Sequence, residues 1–396
     1  MTAQQWRRLG ISVYLPTAVS FAGFGAIVPL VPLSARDLGA DVPTAALVAG
    51  LMGIGVLLGA LPAGALATRF GEKKALVGAL FGDVLLLALM LVSTSVPMLA
   101  VAVLGAGFTG AVLSLARQAY LTDVVPASHR GRALSTLGGV FRIGGFVGPL
   151  VGAAVVAAWG LRAGYGFAMA TSLVAAIVTL TLPDVPSHPA APEGGVFAML
   201  RGHARTYLTA GLGAAALMFV RTARDSILPL WCEAHGLSPS ATSLVYAASM
   251  GLDMLLFYLG GAVMDRFGRR WVAVPSLVAM GTCFVLLVLT GNEWTIAAVA
   301  ALLGLGNGIS SGVVMTIGSD ASPAAGRAQF LAGWRLTTGL GQAAAPLVIG
   351  AVAAAVSLAG ASIAVGLIGF LGAAWLWRWL PGTSEQAEPA EPALDD

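Results

Sequence analysis

The sequence predicts an all-α membrane protein of twelve transmembrane helices in two pseudo-symmetric six-helix bundles. Three observations predict it. Of the 396 residues, 58% are hydrophobic and only 10% charged, where a soluble domain carries about a quarter charged residues. Apolar runs of roughly 20 residues, long enough to cross a bilayer, recur about twelve times. Landmarks of the first half return near 200 positions later. The 52 glycines suit such a bundle, because small residues let helices approach where no hydrophobic force drives them together.

In chain order the expected spans are 11–33, 42–67, 75–95, 98–121, 133–157 and 163–182, then 207–230, 240–264, 271–290, 295–318, 328–352 and 356–380. The repeat is read from Pro29-Leu30 against Pro229-Leu230 at an offset of 200. Gly64, Arg69 and Gly71 against Gly261, Arg266 and Gly268, Asp123 against Asp320, and Pro149-Leu150 against Pro346-Leu347 all sit at 197. The expected domains are therefore an N-terminal bundle at 1–182, a cytoplasmic linker at 183–206, a C-terminal bundle at 207–380, and a disordered acidic tail at 381–396. Basic residues set the orientation. With the N-terminus inside, fourteen lie on the cytoplasmic side, and only Arg36 and Arg162 lie outside. Arg117, Arg142, Arg221, Arg224 and Arg335 fall within spans. That asymmetry puts both termini in the cytoplasm and the chain in the cell's inner membrane.

The composition also excludes chemistries. Cys232 and Cys283 lie in different apolar segments and suggest no disulfide framework. All four histidines fall in expected loops, which leaves no histidine metal site within the membrane. Lys73 and Lys74 are the only lysines, and neither follows a phosphate-binding glycine loop, so the chain is not an ATPase of that type. No nucleophile–base pair marks an enzyme, no cofactor is expected, and no metal. The expected partners are a small-molecule substrate, protons and the lipid bilayer, with no nucleic acid, and the chain is expected to act as a monomer.

Two loops and one helix carry a family likeness. GAVMDRFGRR, from Gly261 to Arg270, ends an apolar run with an acid, a glycine turn and Arg266, Arg269 and Arg270. GALATRFGEKK, from Gly64 to Lys74, is a weaker copy with Thr68 where the acid belongs. Asp265 lies at a helix C-terminus, which disfavours an anion, so it needs a cationic partner, and the three arginines are the nearby candidates. In the fifth span, Gly144, Gly148 and Gly152 stack at i, i+4, i+8 with Pro149 between them. These residues resemble the major facilitator superfamily, and GGFVGPLVG with GAIVPLVPLSARDLGA (Gly25 to Ala40) resembles its twelve-helix drug:proton antiporter branch. The resemblance implies alternating access, with gating by Arg69, Asp265, Arg266, Gly268, Arg269 and Arg270 and by the Gly144–Gly148–Pro149–Gly152 face.

Ionisable residues within spans are costly, and by default they imply a partner or a wet cavity. Arg221 and Asp225 share a helical face at i, i+4 and can neutralise each other, while Arg224 points about 100° away. Asp253, at the middle of its span, and Asp225 are the candidate proton carriers. Asp83 is expected to serve packing or hydrogen bonding. Arg221, Arg224, Arg142 and Arg335 outnumber the acids and would favour an anionic group on a cargo. Phe24, Phe219 and Trp334 are the apolar candidates for holding its lipophilic body. The function read from sequence is proton-coupled export of small amphipathic or lipophilic compounds, the alternative being proton-coupled transport of an anionic metabolite or lipid.

Overall fold

The computed structural model describes residues 6–7, 9–126, 129–182, 196–323 and 326–381. Twelve helices form two six-helix bundles. The N-terminal half holds α1 (Gly10–Ile27, continued as Leu30–Asp37), α2 (Val42–Phe70), α3 (Glu72–Leu91), α4 (Val96–Val124), α5 (Arg130–Trp159) and α6 (Ala163–Leu180). The C-terminal half holds α7 (Leu212–Ala234), α8 (Pro239–Phe267), α9 (Arg270–Leu287), α10 (Glu293–Ile309, continued as Val313–Asp320), α11 (Arg327–Ala355) and α12 (Leu358–Trp379). The start of α1 and the end of α12 lie on one side of the bundle, the terminal face; the other is the far face. Residues 183–195 of the linker expected at 183–206, and 382–396 of the tail expected at 381–396, lie outside the described residues. A short helix, Val196–Gly202, leads into α7 and packs on α11.

Among the described residues, ten helices are long and apolar enough to cross a membrane, and α8 makes eleven when its 44° bend is counted as one span. α7 is as long, but Arg221, Arg224 and Asp225 interrupt its apolar run. Two spans expected to be continuous are broken. α1 gives way at Val28–Pro29, where proline supplies no N–H to the ladder. α10 gives way at Ser310–Gly312, where Gly312 takes a φ of +84°.

The repeat is tighter than the sequence reading had it. Gly39 and Gly236, 197 apart, both turn with positive φ (+89° and +76°). Each precedes a helix N-terminus capped by an oxygen side chain: Asp41 accepts from the Thr44 amide, and Ser238 from the Ala241 amide. The Thr44 hydroxyl and amide hold the Asp41 carboxyl below the usual carboxylate range. In this register the partner of Pro229-Leu230 is Pro32-Leu33, not Pro29-Leu30; proline spacing alone had suggested a false offset of 200. Gly71 and Gly268 also obey 197, with φ of +88° and +94°, and they make the tight loops expected of them.

Close helix approach rests on glycine opposite backbone. A Cβ on Gly107 would strike the Met52 carbonyl, and one on Gly304 would strike that of Ser249, the same crossing in each half. The expected smooth face of α5 lies against α1. A Cβ on Gly144 would stand 2.7 Å from Phe21 Cβ, one on Gly152 3.0 Å from Ala26 Cβ, and one on Gly148 would collide with the Ala22 carbonyl. Between halves, α2 meets α11 and α5 meets α8. Their named contacts run from the far face to mid-depth: Gly50 against Pro346, Leu47 against Gly350, and Ser240 donating to the Ala153 carbonyl at 2.8 Å.

Gly148→Leu should destabilise the protein by about 1–3 kcal/mol through overpacking, whereas Gly138→Ala, in open space, should not. Thermal unfolding of the two variants in the same detergent checks this.

Candidate functional site

The ionisable residues of α5, α7 and α8 meet at mid-depth beside the break in α10. Asp253, at the middle of α8, is buried, with 6% exposure. A Cβ on Gly308 of α10 would stand 2.5 Å from the Asp253 carbonyl, so the two backbones touch. That contact brings Asn307, one residue earlier, onto the carboxylate, where its amide nitrogen donates to Asp253 Oδ2. Arg142 reaches across from α5: its Nη1 is 3.5 Å from Asp253 Oδ1, and its Nη2 donates to the Ser311 hydroxyl at the α10 break. Arg224 of α7 comes from the other side, with Nη1 3.7 Å from Asp253 Oδ2.

Arg224 is itself buried and links the two acids. Its Nε faces Asp225 Oδ1 at 3.5 Å, its Nη2 donates to Met250 Sδ at 3.1 Å, and its guanidinium stacks 5.5 Å from the Tyr246 ring. Tyr246 donates to Asp225 Oδ1 at 2.7 Å. The side chains of Asp225 and Arg142 are 37% and 24% exposed, so protein does not seal the cluster at these two residues. The described charges are three arginines and two aspartates.

Several sequence expectations need correcting. The i, i+4 pair does not form: Asp225 is held by Tyr246 and its neighbour Arg224, because α8 packs on that side of α7. Arg221 makes no ion pair among the described residues, yet it lies within electrostatic reach of Asp253, Arg224, Arg142 and Asp225. Arg335 stands apart on α11, its Nη2 3.5 Å from Gln118 Oε1 of α4. Trp334 is buried between α10 and α11, donating to the Val314 carbonyl at 3.0 Å and filling the space over Gly318. Phe219 turns into a crevice of about 300 Å³ lined by α7, α11 and α12. Phe24 is exposed beside Phe21, which in turn packs on Phe141 at 4.4 Å. Asn307 and Ser311 were missed, though two polar residues amid glycines in an apolar span are a readable signal of a broken helix at a site.

In the N-terminal half the ionisable groups are closed off by hydroxyls. Asp83 accepts from Thr109 at 3.3 Å and from Ser172 at 2.7 Å, tying α3 to α4 and α6. Arg117 is buried and donates to Ser20 of α1 at 2.6 Å.

On the terminal face, the loop between α8 and α9 engages its surroundings without its acid. Gly268 turns Arg269 onto Asp320 at the end of α10, 2.6 Å away, and Arg270 onto the Trp377 carbonyl and ring of α12. Arg266 covers Phe267, and Arg69 covers Phe70. Asp265 is exposed and has no ion pair among the described residues, so none of its three arginines serves it here. On the far face, Arg36 Nε donates to both oxygens of Glu233, at 3.2 and 3.1 Å, joining α1 to α7. These positions are 197 apart and hence equivalent in the two halves, so the pair sits on the pseudo-two-fold axis.

A family model described as Major Facilitator Superfamily matches residues 13–220 and 210–395, nearly the whole chain. The chain belongs to the Major Facilitator Superfamily. As a member it is a transporter rather than an enzyme. Among superfamily relatives, it is 25% identical over 329 residues to Multidrug resistance protein MdtG of Proteus mirabilis (strain HI4320), covering 79% of this chain and 81% of that one. It is 39% identical over 89 residues to Tetracycline resistance protein, class H of Pasteurella multocida, a match spanning 22% of either chain. Its fold resembles a bacterial homologue of the human lysosomal transporter Spinster, in an inward-facing and occupied conformation (TM-score 0.76, 17% identity, 96% and 97% covered). It also resembles a D-xylose–proton symporter (TM-score 0.73, 16% identity, 94% and 98% covered).

Because Arg36 and Glu233 are equivalent positions, exchanging them should preserve the pair. Arg36→Glu and Glu233→Arg should each lower stability, and the double variant should recover most of the loss, with a coupling of about 0.2–1 kcal/mol. Thermal unfolding in detergent at low salt measures it.

Proposed function

We propose that this transporter is a secondary-active exporter of small amphipathic or lipophilic compounds, driven by inward proton movement through alternating access. The observation that carries the reading is Asp253: a buried mid-depth carboxylate held by Arg142 from one half and by Arg224 and Asn307 from the other. A carboxylate so placed can exchange a proton, and its charge then changes what binds the two halves together. Asp225, more exposed and bound by Tyr246, is the second carrier. The names of the relatives, a multidrug and a tetracycline resistance protein, support efflux as the direction. Both termini lie in the cytoplasm of a cell whose inner membrane holds the protein, and the unit of transport is the monomer.

In this reading the halves rock about the cluster. Contacts between them concentrated from the far face to mid-depth correspond to a form open toward the terminal, cytoplasmic face, where Arg335 and Gln118 approach across the halves at 3.5 Å. Asp265, unengaged here, latches the cytoplasmic side when the cavity faces outward, through the loop it shares with Arg266, Gly268, Arg269 and Arg270. Arg69 does the same more weakly in the other half, and the Gly144–Gly148–Pro149–Gly152 face lets α5 slide on α1.

A second reading has a specific observation behind it: Arg142, Arg221 and Arg224 outnumber Asp225 and Asp253, which favours an anionic cargo. Linkage separates the two. An anion seated on the arginines raises the proton affinity of the acids, so its binding takes up protons; a cation or hydrogen-bond donor seated on Asp253 releases them. Proton release on binding supports antiport, and uptake supports the anion reading.

With purified protein in proteoliposomes, a pH gradient should drive counter-movement of members of a panel of lipophilic cations, neutral compounds and anions. Asp253→Asn should cut it at least about tenfold, within the usual range of coupling between two sites, and full retention would sink the assignment. Asp265→Asn should shift cysteine-accessibility labelling toward the cytoplasm-open form.

A further inference from the structure

We infer that Arg142 is the lock of the empty carrier: it holds ionised Asp253 across the two halves, so a proton or a cargo must neutralise that carboxylate before the halves exchange. The inference rests on the proton-coupled reading above and deepens it.

Two named ion pairs join the halves among the described residues, Arg36–Glu233 at the far face and Arg142–Asp253 at mid-depth. The second alone lies within the membrane span. The two oxygens of Asp253 divide between the halves. Oδ2 belongs to the C-terminal half, through Asn307 and Arg224, and it is fixed there by the backbone contact of Gly308. Oδ1 faces Arg142 of the N-terminal half. Asp253 is thus the node between a rigid C-terminal mount and a cross-half cation, and Arg142, being the more exposed of the two, is the part that can leave. The charged and titratable groups around the node are Arg142 on α5, Arg221, Arg224 and Asp225 on α7, and Tyr246 on α8; α10 adds only the neutral Asn307 and Ser311.

The lock follows from charge. While Asp253 is ionised and no cargo is present, separating α5 from α8 strands an anion and a cation at bilayer depth, where breaking one partner from a buried pair is severely unfavourable. Once a proton occupies Asp253, the acid no longer holds Arg142 by charge, and the tie from Arg142 to the C-terminal half falls to its hydrogen bond with the neutral Ser311. A cargo that donates to Oδ1 acts likewise. Proton-bound and cargo-bound carriers therefore move and the empty ionised carrier does not, which is the condition for exchange without leak.

Proteoliposomes with an internal pH dye and no cargo test this after an external acid jump. The intact protein should leak protons slowly, because the empty carrier cannot return. Arg142→Gln should raise that leak about tenfold or more, Arg142→Lys should restore much of the tightness, and Arg142→Gln with Asp253→Asn should lose the added leak because Asp253 no longer carries the proton. In parallel, Cys pairs placed by Ala153→Cys and Ser240→Cys, across the α5–α8 contact, should crosslink less at pH 8 once Arg142→Gln is added. Unchanged leak and unchanged crosslinking in Arg142→Gln, or in Arg142→Ala should the first variant fold poorly, overturn the lock while leaving proton-coupled export intact. Full gradient-driven transport in Asp253→Asn instead removes the export reading itself.

Discussion

A charge placed in the middle of a bilayer must find another charge, a hydrogen-bond partner or water, and that requirement shapes both halves of this transporter. They meet it differently. In the N-terminal half, Asp83 is closed by Thr109 and Ser172, and Arg117 by Ser20, so these groups act as internal cross-ties between helices. In the C-terminal half, Arg224 lies within ion-pair distance of both Asp225 and Asp253, Arg221 stays within reach, and Arg142 enters from outside the half. The first arrangement is closed by its hydroxyl hydrogen bonds. The second leaves Arg224 Nε and Nη1 without hydrogen-bond partners among the described residues, and Asp225 and Arg142 partly exposed.

Glycine makes that division possible. Where Gly107 and Gly304 face backbone carbonyls, equivalent helices of the two halves approach closely enough for side chains to meet across them. The α8–α10 contact at Gly308 shows the consequence most directly: removing a Cβ lowers α10 onto the Asp253 backbone, and Asn307 is then fixed on the carboxylate. At the matching place in the first half, 197 residues earlier, Val56 stands where Asp253 does. The repeated frame thus shares this crossing in both halves while only one of them carries the charge.

How far the sequence carried this picture depended on whether a feature was local. The spans could be read because hydropathy over 20 residues is a local quantity, and the turns at Gly71 and Gly268 because positive φ is a glycine property. The α5 face was legible because i, i+4, i+8 stacking follows from helix geometry alone. Charge pairing was not legible. The i, i+4 spacing of Arg221 and Asp225 allowed a pair, but the rotation of α8 brought Tyr246 closer to Asp225, and rotation is set by packing far along the chain. Trp334 and Phe219 failed as cavity candidates for the same reason: an aromatic on a helix has two sides to face, and hydropathy does not choose between them. The break in α10 was written in its glycines and serines, but an apolar run hides a polar step when the run is read as a whole.

The two ion pairs between halves also differ in what they can control. Arg36–Glu233 has good geometry, but both side chains are 31% exposed, so salt and water screen it and its weight is at most about 1 kcal/mol. Arg142–Asp253 is longer, yet Asp253 is 8% exposed and flanked by apolar helices, where the same charges interact more strongly and a lone charge is far less tolerable. Distance alone ranks the far-face pair first; environment reverses the order. In the proposed cycle the mid-depth pair also carries the group that a proton discharges, so the stronger tie is the switchable one. A weak far-face clasp and a central tie whose strength follows protonation would then leave the choice of conformation to the centre.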